Sequence, residues 1–277
     1  MKPEKISING IIKKPDDALV LATNLSLSSG IGVFETFRVS EDKVFLLDEH
    51  FARLQKSLKA LGLHGIDENE ARKNILKIAK LAKPDHDAFV RLAVTGANGG
   101  LASFKIDPGP MTIIYMCSIT KLAPTDVRAK TLSGVKRHKP EYFDITGFRL
   151  KSLDYSHAFF AQSELEDNEM GIMLSPEGYA AEALNSNIFW VEESKIYTPP
   201  LELGILPGVI RKFLINNFNV DEKKALKDEI LEADEIFLTN SVKYLTPVKI
   251  IDGIEKPGTK GQVFLNLYDQ ISKSIKT

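Results

Sequence analysis

The chain has 277 residues, 36 Lys and Arg against 37 Asp and Glu, and a formal net charge of −1. That length suits about two domains, and so even a charge balance provides no global field to recruit nucleic acid or anionic lipid. A single cysteine, Cys117, and five scattered histidines exclude a disulfide framework and argue against a metal site.

EKISINGIIK (4–13) alternates around Asn9-Gly10 and predicts a hairpin on a type I′ turn. VFETFRV (33–39) and KVFLL (43–47), around Glu41-Asp42, predict a second. From Asp48 the spacing changes: Phe51, Leu54, Leu58 and Leu61 mark one face of a helix that Gly62 ends. Asp67 caps a further predicted helix bearing Ile75, Ile78, Ala79 and Ala82, with Pro84 beyond its end. Strands are predicted at 88–96 and 111–120. The segment 121–128, with Pro124 and little apolar content, reads as a linker between domains at 1–120 and 129–277. Beyond it come a helix near 155–167, strands at 171–175 and 187–191, a helix opening near Pro207, strands at 234–239 and 248–252, and a closing helix over 260–275. Strands and helices mix in both halves without a regular βαβ rhythm, which argues against a doubly wound sheet. No apolar run is long enough to span a membrane and the N-terminus has no apolar signal core, so a soluble cytoplasmic protein without a membrane partner is expected.

Several residue patterns carry chemistry. Lys151, in GFRLKSLDYSHAFFAQ, stands where an apolar strand gives way to a helix, with Tyr155 one turn on. A lysine whose amine is kept neutral can condense with a carbonyl; taken alone, a solvated surface lysine is the commoner case. Glu182 is set among Ala180, Ala181, Ala183 and Leu184 in a turn of small residues, an apolar setting that costs a carboxylate free energy unless it is paired. A protonated pyridine nitrogen would be such a partner, and a solvent-facing loop glutamate is the alternative. Leu206-Pro207-Gly208-Val209-Ile210 opens a helix whose free N–H groups can hold a phosphate. Asn240 and Ser241 follow an apolar strand and offer further donors. Arg53, in EHFARL, carries a fork that suits phosphate or simply lies on the polar face of its helix. The loop TGANGG (95–100) lacks the Lys-Ser/Thr of a P-loop.

In this order the segments GIGVFETFRV, DEHFARLQKSL, LKSLDY, EALNSNIFWV, GILPGVIR and LTNSVKYLTPVKIIDG resemble the class IV (fold type IV) pyridoxal-phosphate enzymes. That family holds branched-chain aminotransferases, D-amino acid aminotransferases and aminodeoxychorismate lyases. The likeness runs from about residue 6 to residue 253. It implies an α+β fold with a smaller α/β N-terminal domain and a larger pseudo-barrel C-terminal domain, a pyridoxal 5′-phosphate cofactor and a homodimer. By resemblance Lys151 is the Schiff-base lysine and Glu182 the partner of the ring nitrogen. Arg53, the N–H groups of Val209 and Ile210, and Asn240 and Ser241 are the phosphate contacts. Leu206 packs on the ring and Tyr155 donates to its hydroxyl. Phe34, Thr36, Gly99 and Leu101 fall at substrate-binding positions.

Ile210 stands where the family often has threonine. The loop GANGGLASF lacks the arginine and histidine of D-amino acid aminotransferases, and Leu101 stands where lyases often have arginine. The resemblance implies an aminotransferase that moves an amino group from an amino acid to a 2-keto acid. The alternative is an aminodeoxychorismate lyase releasing pyruvate and p-aminobenzoate, toward which FET (34–36) and TNS (239–241) lean. A third reading, an inactive homologue, sits poorly with the presence of both Lys151 and Glu182.

Overall fold

The computed structural model describes residues 1–96 and 109–276. It divides into two compact units, one of Met1–Leu122 with Leu150–Asp154, the other of Ala123–Arg149 with Tyr155–Thr277. In the first, β1 (Lys5–Ile8) and β2 (Ile11–Lys13) pair around Asn9 and Gly10, whose φ values of 47° and 82° are those of the expected type I′ turn. A short helix α1 (Leu25–Ser29) follows. Then come β3 (Gly32–Ser40) and the two-residue β4 (Lys43–Val44), joined by Glu41 and Asp42, both at positive φ. Helix α2 (Leu47–Leu61) ends where Gly62 turns left-handed, and α3 (Glu68–Ala79) starts where the Asp67 side chain accepts from the Glu70 N–H. Strands β5 (Asp87–Gly96) and β6 (Pro110–Ile119) complete an antiparallel sheet in the order β2-β1-β6-β5-β3-β4.

One face of that sheet is a core. Val33, Phe37 and Val39, alternate residues of β3, pack with Phe51, Leu54 and Leu58 of α2 and Ile75 and Ile78 of α3. Each such side chain contributes about 1.5–3 kcal/mol by leaving water. The pleat sends Phe34, Thr36 and Arg38 to the opposite face.

The second unit is built on β7 (Val127–Lys136), with the single-turn α4 (Phe143–Thr146) and α5 (Ser156–Gln162) after it. Then follow β8 (Glu169–Leu174), β9 (Ala180–Ala183), β10 (Ser186–Glu192), β11 (Lys195–Thr198), α6 (Val209–Asn217), β12 (Val220–Glu222), α7 (Lys227–Glu232), β13 (Glu235–Asn240), β14 (Tyr244–Ile251), β15 (Ile254–Glu255) and α8 (Gln262–Lys276). The path β10-β13-β14-β7-β8-β9 returns to β10, because β9 pairs on both edges, and closes a six-stranded ring. This is the pseudo-barrel the family resemblance implies.

Three expectations change. The stretch taken as a turn around Glu182 is the closing strand β9, buried at all four residues. With alanines on both faces it shows no alternation to read. The predicted linker 121–128 enters β7 at Val127, whose strand hides among Arg128, Lys130 and Lys136. The helix near 155–167 spans only Ser156–Gln162. Among the described residues no helix is long and apolar enough to cross a membrane, and no His, Cys, Asp and Glu group is placed to hold a metal ion.

Candidate active site

Each unit holds its own group of the expected residues. In the first, the Leu150–Asp154 segment lies along β3. The Phe34 N–H donates to the Lys151 carbonyl at 2.9 Å and the Leu153 N–H to the Gly32 carbonyl at 3.0 Å. This pairing sets the half-buried Lys151 with its Nζ 4.3 Å from the centre of the Phe34 ring. The guanidinium of Arg91 lies 3.7 Å from the same ring. Arg91 on β5 is flanked across the sheet by Thr36 and by Tyr115. Lys151, Phe34, Thr36 and Arg91 therefore gather at the sheet face that the helices leave open. Gly99 and Leu101 lie outside the described residues.

Arg53 has a different setting. Its Nε and Nη2 donate to the two oxygens of Glu35 at 2.8 and 2.7 Å, and His50 Nδ1 lies 2.7 Å from the same carboxylate. Arg53 and His50 are one helical turn apart on α2, and Glu35 meets them from the core face of β3 between Val33 and Phe37. Burial disfavours the charged carboxylate, but the Arg53 guanidinium and the His50 ring outweigh it and hold Glu35 at about 2. Burial pushes His50 below its ordinary value, with Glu35 opposing and Arg53 and Lys151 adding to the shift.

In the second unit Glu182 is 4 % exposed. Its Oε1 lies 2.8 Å from Nε of Arg137, a charge contact whose N–H is not aligned on the oxygen. Its Oε2 accepts from the Leu206 N–H at 3.0 Å and, weakly, from Asn187 Nδ2 at 3.4 Å. Asn187 also donates to the Leu206 carbonyl at 2.9 Å. Glu182, Asn187 and Thr239 are direct cross-strand partners, so they share one face of β9, β10 and β13.

Helix α6 starts at Val209 behind Gly208, which supplies no side-chain cap, so the first-turn N–H groups of Val209 and Ile210 have no intrahelical partner. A Cβ on Gly208 would fall 2.0 Å from Asn187 Oδ1; space selects glycine there. Asn240 spends its side chain locally: Oδ1 accepts from the Val242 and Lys243 N–H groups, both at 2.9 Å, and Nδ2 donates to Ser186 at 3.0 Å. It shapes the turn that carries the half-buried Ser241. Tyr155 stands at the residue before α5, its ring 5.5 Å from that of His157.

A family profile described as amino-transferase class IV matches residues 32–251. The chain belongs to this class IV aminotransferase family. It is 33% identical to an aminodeoxychorismate lyase of Bacillus subtilis, over 98% of this chain and 94% of that protein. It is 31% identical to a putative branched-chain-amino-acid aminotransferase of Methanocaldococcus jannaschii, over 90% of this chain and 88% of that one. Among solved structures, the branched-chain aminotransferase of Thermobaculum terrenum in its pyridoxal-phosphate form superposes with a TM-score of 0.81 at 23% identity, covering 99% of this chain and 94% of that one. The fold is the fold type IV architecture.

This class IV chain uses residues that sequence reasoning passed over. Glu35 and His50 fix Arg53, Arg137 pairs Glu182, and Arg91 brings a cation to Phe34. Glu35 left a legible trace, a charge on the core face of an alternating strand. Arg137, between Lys136 and His138, left none.

Proposed function

We propose that the protein is a pyridoxal 5′-phosphate-dependent aminotransferase acting on an amino acid and a 2-keto acid. The donor set fits the cofactor: an amine, a buried carboxylate already fed by N–H groups, a clamped arginine, and a helix start with no side-chain cap. When bound, the cofactor supplies a carbonyl that condenses with amines and a ring that draws electrons from the neighbouring carbon. Lys151 would hold the cofactor through that carbonyl, and its Nζ would move the substrate proton. Glu182 would accept a hydrogen bond from the ring nitrogen, Leu206 would pack on the ring and Tyr155 would donate to its hydroxyl. Arg53, the N–H groups of Val209 and Ile210, and the backbone at Asn240 and Ser241 would bind the phosphate. Phe34 and Thr36 line the substrate side, and Arg91 supplies the cation for a substrate carboxylate that the loop sequence GANGGLASF lacks. The observation that weighs most is Lys151, registered by backbone hydrogen bonds on β3, in a family where the lysine is the working group.

A second reading, an aminodeoxychorismate lyase, is favoured by the 33% identity to such an enzyme along 98% of the chain. A panel of amino donors with a keto-acid acceptor, run beside an assay for p-aminobenzoate, decides. Turnover of donors only is expected; p-aminobenzoate without an acceptor selects the lyase, and no turnover of either rejects both. In the same panel Arg91→Met is expected to raise KM about tenfold or more, the loss of one charged hydrogen-bonding partner; an unchanged KM removes Arg91 from the substrate. A homodimer is proposed as well, with exposed Leu19, Leu21 and Leu27 in the first unit, and separately Phe159 and Phe160 in the second, as apolar surface for a second copy to cover. A monomer mass in sedimentation would refute it.

A further inference from the structure

Gly32 opens β3 and has no need of glycine's backbone freedom, since its φ lies outside the left-handed region. Space is the reason for it. A Cβ built there would come 2.5 Å from Cδ1 of Leu153 on one flank and 2.8 Å from the Val94 carbonyl on the other. β3 is at this point the middle of three backbones. β5 pairs along one edge, Gly32 opposite Thr95, and the 151–153 segment lies along the other through Val33 and Ser152. A glycine inside a strand commonly marks such a close approach. The two hydrogen bonds that hold the segment, Phe34 N–H to the Lys151 carbonyl and Leu153 N–H to the Gly32 carbonyl, bracket Ser152, and the first of them fixes the lysine's own carbonyl. A side chain at 32 would act on Leu153 and, through that two-bond ladder, on where the Lys151 amine stands over the Phe34 ring.

We propose that Gly32 is a positioning residue for Lys151: the missing side chain lets the 151–153 segment, with Leu153 seated over Gly32, lie in register on β3 and so sets the height of the lysine amine. The proposal rests on Lys151 being the working amine. A misplacement near 1 Å costs about 100-fold in rate when the reacting groups are otherwise intact.

The test measures amide hydrogen exchange in the protein without added cofactor, and turnover in the loaded enzyme. Gly32→Ala is expected to speed exchange of the Leu153 and Phe34 amides about tenfold, a loosening of about 1.4 kcal/mol. Exchange at Phe37 and Val39, farther along the strand, stays as in the wild type. kcat falls about 100-fold while KM for the amino substrate changes about twofold at most. Trimming the opposing side chain, in Gly32→Ala/Leu153→Ala, recovers at least part of both the protection and kcat. If Gly32→Ala does not fold, Leu153→Phe presses on the same gap from the other side and is expected to give the same pair of effects. Unchanged exchange at Leu153 in the single variant, or a double variant no better than the single one, overturns the proposal. Exchange is read without turnover, so a wrong assignment of Lys151 would leave the exchange result standing and remove only the effect on kcat.

Discussion

Lys151→Ala is expected to abolish turnover while the protein stays folded. The hydrogen bonds that place this residue use its carbonyl and its neighbours' main chain, so truncation leaves the register on β3 in place. What disappears is an amine 4.3 Å from the Phe34 ring centre. In the proposed reaction that one nitrogen both binds the cofactor carbonyl and carries the proton, two tasks lost together. The combined effect should be a fall in kcat of about 10⁴-fold or more. Melting temperature without cofactor should shift by no more than the few degrees of an ordinary partly exposed substitution. Lys151→Arg separates charge from chemistry: it keeps a cation beside Phe34 but has no amine to condense, and is expected to be as inactive as alanine. Borohydride treatment of the loaded wild type should leave the cofactor attached to Lys151, and neither variant should retain it. Activity in Lys151→Ala within tenfold of wild type would move the chemistry to another residue.

Much of the fold was legible because its periods are clean. Asn9-Gly10 forces a hairpin, and Phe51, Leu54 and Leu58 align on one side of α2 against a strand whose alternate residues are Val33, Phe37 and Val39. Gly62 and Asp67 mark helix ends by known backbone and capping chemistry. The strand β9 was not legible. Its residues are small and buried on both faces, so the signal that identifies a half-buried strand is missing, and only pairing with both β8 and β10 reveals it. The same limit applies to the site. Lys151, Glu182 and the Leu206–Ile210 turn were each weak signals until their order matched the family's, and their partners come from distant strands. Arg137 meets Glu182 across 45 positions of sequence, and Glu35 meets Arg53 across a turn and the start of a helix. No local pattern encodes contacts of that range. Asn240 shows a subtler gap: its type suits a donor to an anion, yet the side chain is consumed in shaping its own turn.

Glu35→Gln is expected to cost more stability than any other single change considered, and to alter how the protein responds to acid. Glu35 is 1 % exposed, on the core face of β3, where an ionised carboxylate survives only through its partners. Burial alone would raise it; Arg53, with two hydrogen bonds, and His50 bring it instead from 4.5 to about 2. Because the folded value lies below the unfolded one, the group stabilises the protein above the unfolded value. That contribution is lost as pH falls from about 4.5 toward about 2. A displacement of that size corresponds to something on the order of 3 kcal/mol. Glutamine keeps the shape and removes the charge, so the half-buried Arg53 loses the carboxylate that accepts two of its hydrogen bonds, at a cost of about 3–5 kcal/mol near neutral pH. His50 gains no charge, since the partner that raised it is gone while its burial remains. Denaturant unfolding of the cofactor-free protein between pH 7 and pH 3 measures both effects. Asp87 is also lowered, with Lys121, Ser40 and Arg38 outweighing its burial, so wild type and variant keep a common acid limb. The informative quantity is therefore the difference between them, expected to be large at pH 7 and to shrink below about pH 4.5. In Glu35→Gln/Arg53→Met about half or more of the loss at pH 7 should return, because the cost of breaking a buried pair comes chiefly from the charge left uncompensated. A constant difference across the pH range would show that Glu35 contributes by packing rather than by charge.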